Sequence, residues 1–320
     1  MKERSIHLDV AKGLCLLLMI AGHTKGINPT LNHLIYSFHM PAFFIIAGMT
    51  HFSSTAAKPD LVWSKFKRLI IPAWVFGAIN GLPFLGRVLR GTVGLPEFIH
   101  RAVGTFTGAA QTNDTFNCTP LWFLYAIFFV YLFEILGREV LAKKSRSALV
   151  GVLLIFLCIT PATYTEFLPI QIRYALTGIL FFQIGVLLKE LFNAPVKDTS
   201  YLWFAILVLA WLVPAMFTPT VQLNSGYLGN GPVVLLSTVV ALVGTFLIIQ
   251  MARMLSWLPL LPQLAQISIP IVGLNYLIEQ RINLYVEGLA LFVIEVMILM
   301  IIAALTMRMG TVGRVLNGRV

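Results

Sequence analysis

Three polar residues recur at whole helical turns in an otherwise apolar stretch, DVAKGLCLLLMIAGH, at positions 9–23. If the stretch is a helix, His23 lies 11 residues, or about three turns, after Lys12 and 14 residues, or about four turns, after Asp9. The three side chains then share one face, and His23 lies roughly 16 Å from Lys12 along the helix axis. We therefore expect a polar stripe that faces a cavity inside a helix bundle rather than lipid.

An imidazole beside a basic stripe suits only a few reactions. Histidine titrates near neutral pH without help from its surroundings, so His23 can act as a general base. A hydroxyl group that attacks an acyl thioester needs such a base, together with donors for the developing oxyanion. The sequence contains no GxSxG, HExxH or Walker motif, which argues against serine hydrolase, zinc protease and ATPase chemistry. Acyl transfer and proton relay remain.

The same residues also have simpler explanations. Asp9 and Lys12 would form an ion pair at the membrane interface, with the Lys12 ammonium reaching lipid phosphate, and His23 would be an interfacial histidine. In the next apolar stretch, YSFHMPAFFIIAG, His39 stands two residues before Pro41, which interrupts the backbone hydrogen bonds of a helix and should kink it. His39 is therefore either a partner in the pocket or a side chain held by backbone carbonyl groups.

The composition is that of a membrane protein. Hydrophobic residues make up 58% of the 320 residues and charged residues 11%, where a soluble domain has about a quarter, and the mean hydropathy is +0.86. We predict an all-α fold, a polytopic transmembrane helix bundle that forms a single domain over 1–320. A span needs roughly 20 mostly apolar residues. Ten stretches are candidates: 7–23, 31–52, 69–85, 119–136, 148–164, 172–188, 201–217, 231–255, 267–282 and 287–308.

Lysine and arginine are unevenly distributed between the predicted loops. With the N-terminus inside, sixteen of them fall on the cytoplasmic side and six on the outer side, and Lys12 lies within the first helix. This bias predicts two cytoplasmic termini in a multi-pass protein of the cell inner (plasma) membrane. The net charge of +10 then reflects topology, and membrane lipid rather than nucleic acid is the expected partner. The three cysteines are far apart and no metal-ligand spacing occurs, so no metal site is predicted.

One predicted outer segment, 86–118, is too long for a tight turn and too polar to span the membrane. Part of it, LPEFIHRAVGTF, has helical periodicity, which favours a part-ordered lid over a disordered loop. Trp122, Asn113, Asp114 and Asn117 lie in or near this segment, where a glycan could stack on the tryptophan and bond to the polar side chains. The alternative for these residues is a belt at the membrane interface.

Several stretches together resemble the acyltransferase family 3 membrane proteins, which O-acylate carbohydrates and related molecules. DVAKGLCLLLMIAGH matches the family's first helix, YSFHMPAFFIIAG its second helix, and KFKRLIIP its basic loop leading to a proline, while LWFLYAIFFV and FFQIGVLLKE look like two later helices. The resemblance implies that His23 is the catalytic histidine and that an acyl-CoA, most simply acetyl-CoA, is the donor. Lys12 stands where many members carry arginine, and Asn275 stands near a position that is often histidine.

The resemblance also implies a class of acceptor. The short chain without a further domain is similar to members that acetylate a sugar or a lipid-linked glycan in the cell envelope. We therefore expect an O-acetyltransferase with His23 as base or acyl carrier, His39 as pocket partner, and Asp9 and Lys12 setting the local field. Asn275 joins the candidate acceptor-binding residues. The sequence leaves monomer and homodimer open.

The nucleotide end of such a donor carries several negative charges, which must stay at the inner mouth of the bundle because they cannot enter hydrocarbon. In WSKFKRLIIP, Lys65 and Arg68 are three residues apart and share a helix face, so they could grip the phosphates together, with Lys12 further along the path. Lys67 points elsewhere. The alternative is that these residues only obey the positive-inside rule.

A second class of function fits the same stripe. In a proton-coupled secondary transporter or flippase, His23, Asp9 and Lys12 would relay protons. Such a protein should carry acidic residues deep in several helices, and only Glu134 and Glu295 qualify. It should also have paired broken helices in its two halves. Whether acetyl-CoA hydrolysis depends on His23 separates the two hypotheses.

Overall fold

The computed structural model describes residues 5–51, 56–159, 170–193, 201–223 and 226–319. Across these ranges the chain is helical, apart from one isolated β-bridge between Gln222 and Tyr227. The helices are α1 (Ile6–His23), α2 (Pro29–Tyr36), α3 (His39–Met49), α4 (Lys58–Leu89), α5 (Leu95–Thr107), α6 (Trp122–Gly137), α7 (Lys143–Ile159), α8 (Ile170–Leu187), α9 (Lys189–Asn193), α10 (Tyr201–Ala215), α11 (Val233–Met254), α12 (Leu260–Gln266), α13 (Ser268–Ile282), α14 (Gly288–Met307) and α15 (Gly310–Leu316). Two 3-10 turns, Thr112–Asp114 and Thr119–Leu121, precede α6.

Five helices in the described residues are long and apolar enough to cross a membrane, and the pair α12 and α13, bent by 85° at its junction, makes up to six. The five are α1, α4, α11, α14 and the stretch Thr119–Gly137, which contains α6. The chain is therefore an all-helical, multi-pass membrane protein. Two other apolar helices, α8 and α10, begin next to residues outside the described ranges and are not counted among these spans, so the predicted count of ten spans stays a prediction.

The predicted orientation also stays a prediction. Lys2, Arg4 and Lys197, which contributed to the charge bias, lie outside the described residues, as does the end of the predicted span 148–164.

The predicted second helix, 31–52, is broken earlier than expected. α2 ends at Tyr36 and α3 begins at His39, and Phe38 between them has a φ of −149°. Pro41 is the third residue of α3, where a backbone N–H has no helical partner in any case, so the proline lies in the first turn without disturbing the helix. The predicted kink at Pro41 is wrong in position, because the chain leaves the helix just before His39.

Glycines let neighbouring helices approach α1 and α3 closely. α1 packs on α12 at Gly13, where a Cβ atom would clash with the backbone of Leu261. α3 packs on α8 through Gly48 and Gly185, and each of these faces a backbone carbonyl group of the other helix. Small residues at such crossings are typical of helix packing in membranes. The result is that α1, with its polar stripe, is surrounded by α3, α11, α12 and α13.

A buried polar network joins α6, α7 and α8. Both carboxylate oxygens of Glu134 accept hydrogen bonds from Arg146, and Gln183 Nε2 donates to Glu134 Oε2 at 2.9 Å. His51 Nε2 lies 3.3 Å from Glu134 Oε1. Glu134 is 2% exposed, and a buried charge needs such partners to be tolerated. Glu134 thus holds helices together, which weakens its candidacy as a proton relay.

The outer segment 86–118 is folded onto the bundle. Its helix, α5, coincides with the stretch of helical periodicity, and Arg101 Nη1 donates to two carbonyl oxygens of the following turn, at 2.9 and 3.1 Å. Thr105 Oγ1 accepts from the N–H of Phe116 at 2.9 Å, and the Tyr125 hydroxyl donates to Thr105 O at 3.0 Å. These bonds tie the segment to α6. Its role as a lid stays a prediction.

Candidate active site

His23 is the last residue of α1 and is partly buried. Its ring meets the rings of Tyr36 and Tyr276 edge-on, with centroids 6.3 and 6.5 Å away. Tyr36 comes from the end of α2 and Tyr276 from the middle of α13, so three elements meet at the imidazole. Two phenol groups are therefore the polar neighbours that the fold brings to His23.

The loop that follows His23 is clasped to the start of α14. The N–H of Gly288 donates to Lys25 O at 2.8 Å, and Lys25 Nζ lies 2.7 Å from Glu287 Oε1. The hydrogen bond with Glu287 raises the pKa of Lys25 above its usual value, so Lys25 is charged at neutral pH. The ion pair is exposed and adds little stability by itself. The backbone bond, however, holds the C-terminal end of α1 in one position.

A cavity of about 290 Å³ lies beside His23 and extends along α1. It is named the His23 cavity. Lys12 and His23 both line it, so the polar stripe expected from the sequence faces a cavity. Trp122 also lines it, together with mainly apolar residues of α3, α6 and α13. A mostly apolar wall with a few polar groups is the usual character of a small-molecule site.

A second cavity, of about 410 Å³, adjoins the first. It is named the basic cavity, because Lys65, Arg68 and Arg319 all line it, and Lys67 lines neither cavity. The two cavities share part of their lining, so the cationic groups of the basic cavity adjoin the His23 cavity. The shared lining residues are Arg68, Leu69, Tyr131, Ala265, Ser268 and Ile269.

Contacts between distant parts of the chain build the basic cavity. Lys65 Nζ lies 3.6 Å from the centroid of the Tyr131 ring, a cation–π contact between α4 and α6. Arg68 Nε donates to Gly318 O at 3.1 Å, across 250 residues of sequence. Arg319 follows directly and completes the cationic lining. Neither Arg319 nor Tyr131 is predicted as a site residue from the sequence, because Arg319 reads there only as a topology signal and Tyr131 lies in an apolar helix.

Asp9 and Lys12 lie one turn apart on α1, with Lys12 Nζ 3.9 Å from Asp9 Oδ1. This distance is that of a loose ion pair rather than a hydrogen bond. The Lys12 side chain is 31% exposed and lines the His23 cavity, while Asp9 does not line it. Lys12 therefore pairs with Asp9 and also faces the cavity. Its role on the path of the donor stays a prediction.

His39 is 1% exposed and does not line the His23 cavity. Its Nδ1 lies 2.9 Å from the carbonyl oxygen of Ile35. A carbonyl oxygen can only accept, so Nδ1 carries the hydrogen and, in the neutral ring, Nε2 keeps its lone pair. Tyr36 stands between the two histidines, with its ring centroid 4.8 Å from that of His39 and 6.3 Å from that of His23. His39 thus lies outside the cavity and contacts Tyr36, which in turn contacts His23.

The residues predicted to bind the acceptor lie in different places. Only Trp122 lines the His23 cavity. Asn117 lines a third cavity, described below. Asn113 is exposed, and Asp114 Oδ1 lies 3.0 Å from the Nε2 atom of a histidine on α5. Asn275 is fully buried and donates to a glutamate of α14, so its side chain belongs to the helix packing.

The sequence matches a family model described as an acyltransferase domain, that of acyltransferase family 3. The match covers residues 6–309, which is nearly the whole chain. It includes α1 with its stripe and most of the residues that line the cavities. No curated protein and no solved structure matches the chain. The family predicted from the motifs is confirmed.

Proposed function

We propose, because the chain belongs to acyltransferase family 3, that it is an integral-membrane O-acetyltransferase. In this proposal it moves an acetyl group from cytosolic acetyl-CoA to a hydroxyl group of a carbohydrate or lipid-linked glycan, and it sits in the inner membrane. Family membership supports acyl transfer in general. The observation that carries the finer assignment is the wall that the basic cavity and the His23 cavity share.

The basic cavity suits the nucleotide end of acetyl-CoA. Its phosphates need cationic partners outside the hydrocarbon, and Lys65, Arg68 and Arg319 line one space of about 410 Å³. Asn317 also lines this space, and its Oδ1 atom is buried without a hydrogen-bond partner among the described residues, so it can accept from an adenine amine. The thin pantetheine arm would then extend from the basic cavity, along the residues that line both cavities, toward His23.

In the direct reaction, His23 removes the proton from the acceptor hydroxyl group. The oxygen forms a bond to the thioester carbonyl carbon, the carbon–sulfur bond breaks, and the leaving thiolate takes the proton from His23. The rings of Tyr36 and Tyr276 lie next to His23, and their hydroxyl groups are the candidate donors for the oxyanion. Lys12 lies roughly 16 Å from His23 along α1, too far to contact the reacting carbonyl, so its place is on the donor path.

A covalent route uses the same residues in another order. The imidazole of His23 would attack the thioester, release coenzyme A and carry the acetyl group, which the acceptor hydroxyl group would then remove. Incubation with radiolabelled acetyl-CoA and no acceptor distinguishes the routes. Label bound to the protein and absent from His23→Ala favours the covalent route, and unlabelled protein favours direct transfer.

The test of the proposal is the hydrolysis of acetyl-CoA by the purified protein, with and without carbohydrate acceptors. His23→Ala should lower the rate by about 10²–10⁴-fold, the usual cost of losing a general base. His7→Ala is the matched control, because His7 lies on the same helix and lines neither cavity. Activity of His23→Ala above about a tenth of wild type would overturn the proposal.

A further inference from the structure

A third cavity, of about 100 Å³, lies beyond His23 on the side away from the basic cavity. It is named the outer cavity. Ser268, at the start of α13, lines both other cavities, Tyr276 contacts His23, and Gln280, about 6 Å further along the axis, lines the outer cavity. Along α13, the outer cavity thus lies beyond the point where this helix contacts His23. Its polar lining residues are Asn80, Arg87, Asn117, Gln280 and Arg281.

Two arginines point to an anionic ligand. Arg87 lies with its guanidinium carbon 4.6 Å from the centroid of the Phe84 ring, and neither Arg87 nor Arg281 forms an ion pair with a carboxylate in the described part of the chain. Both side chains are exposed. In the predicted orientation they lie on the outer side, where arginine is disfavoured as a topology signal. Each arginine lies in the last turn of its helix, and because both line the same small space they place two positive charges where an anion could bind.

Asn80 provides a second, independent observation. It is 1% exposed, and its Nδ2 atom donates to Phe76 O at 2.7 Å and to Gly273 O at 2.9 Å. Because carbonyl oxygens can only accept, these two bonds establish the orientation of the amide group. Its Oδ1 atom is buried without a hydrogen-bond partner among the described residues. An unpaired buried acceptor is costly, so a ligand hydroxyl group that donates to it would bind favourably.

We propose that the outer cavity is the subsite for an anionic group of the acceptor, a phosphate or carboxylate with a hydroxyl group next to it. Arg87 and Arg281 bind the charge, and Asn80 Oδ1 accepts from the hydroxyl group. The space is small, so it would hold the anionic group and its neighbouring hydroxyl group, and the rest of the acceptor would extend toward His23. This assignment rests on the proposed function.

The test measures direct binding to the full-length protein in detergent by calorimetry. Glucose 1-phosphate and glucuronate are the anionic probes, and glucose is the neutral probe. Wild type should bind the anionic probes about tenfold or more tightly than glucose, because each guanidinium adds charge-assisted bonds. Arg87→Gln with Arg281→Gln should remove this preference, and Arg87→Lys should keep part of it. Arg90→Gln is the control, since Arg90 lies one turn further on and does not line the cavity.

Three outcomes decide the inference. A preference for anionic probes that the double variant loses, while its thermal unfolding is unchanged, supports it. Equal binding of glucose and the anionic probes by wild type overturns it. Lipid nanodiscs with phosphatidylglycerol or phosphatidylcholine identify the source of the charge: if phosphatidylglycerol alone occupies the site and displaces the sugars, the acceptor assignment is overturned. Acetyl-CoA hydrolysis by His23→Ala reports the proposed function separately, so the two can fail independently.

Discussion

Arg68 is the cationic residue that the basic cavity and the His23 cavity share, and Arg68→Ala therefore tests the donor path most directly. Its Nε atom is engaged by Gly318 O, which leaves the two Nη groups for phosphate. A hydrogen bond to a charged group contributes about 1.5–3 kcal/mol when shielded from water. Arg68 is exposed, so we take about half, or roughly 0.75–1.5 kcal/mol, which weakens binding about four- to twelvefold.

The assay is calorimetric titration of the purified protein with coenzyme A. Arg68→Ala should raise the dissociation constant by that factor, and Lys67→Ala, one residue away but outside both cavities, should leave it nearly unchanged. Raising the salt from about 0.1 M to about 1 M shortens the screening length from about 10 Å to about 3 Å. Added salt should therefore weaken binding in wild type much more than in a Lys65→Ala/Arg68→Ala double variant.

Two results would refute this reasoning. Equal dissociation constants in wild type, Arg68→Ala and Lys67→Ala would show that Lys65 and Arg68 only follow the positive-inside rule and do not bind the donor. If Arg68→Ala loses affinity for coenzyme A only to the extent that it loses thermal stability, then the bond to Gly318 matters for packing alone. Arg68→Lys separates the cases, because it keeps a charge in the cavity and cannot reproduce the Nε bond.

Three further predictions concern catalysis, stability and topology. His39→Ala should lower the transfer rate less than His23→Ala does, because His39 is buried outside the His23 cavity and Tyr36 packs between the two histidines; a larger loss at saturating donor would reverse the two roles. Arg146→Met should destabilise the protein by about 3–5 kcal/mol, since it removes the arginine that pairs with buried Glu134 and leaves that carboxylate only Gln183 and His51 as partners, while adding Glu134→Leu should restore much of this in thermal unfolding; equal midpoints for the single and double variants would contradict the network. Single cysteines at the exposed positions 140, 142 and 144, in a background without the native cysteines, should react only from the cytoplasmic side, and outside labelling would overturn the predicted orientation.

The sequence by itself determined the local features of this protein. The 3.6-residue period of a helix places Lys12 and His23 on one face wherever that helix packs, and the three-residue spacing of Lys65 and Arg68 does the same at the basic cavity. Length and apolar content determined the helical membrane class. The motifs determined the family, because they are short, ordered stretches that need no three-dimensional information.

Only the tertiary structure decided which residues meet. The helix breaks before His39 rather than at Pro41, because the Ile35 carbonyl group and the packing of α2 and α3 set the chain direction there. Arg319 reaches the cavity of Arg68 from the other end of the chain. The polar residues near the outer segment separate into different sites. Helical periodicity describes which residues share a face of one helix. Which faces pack together depends on close contacts between residues far apart in sequence, such as that of Gly13 with α12.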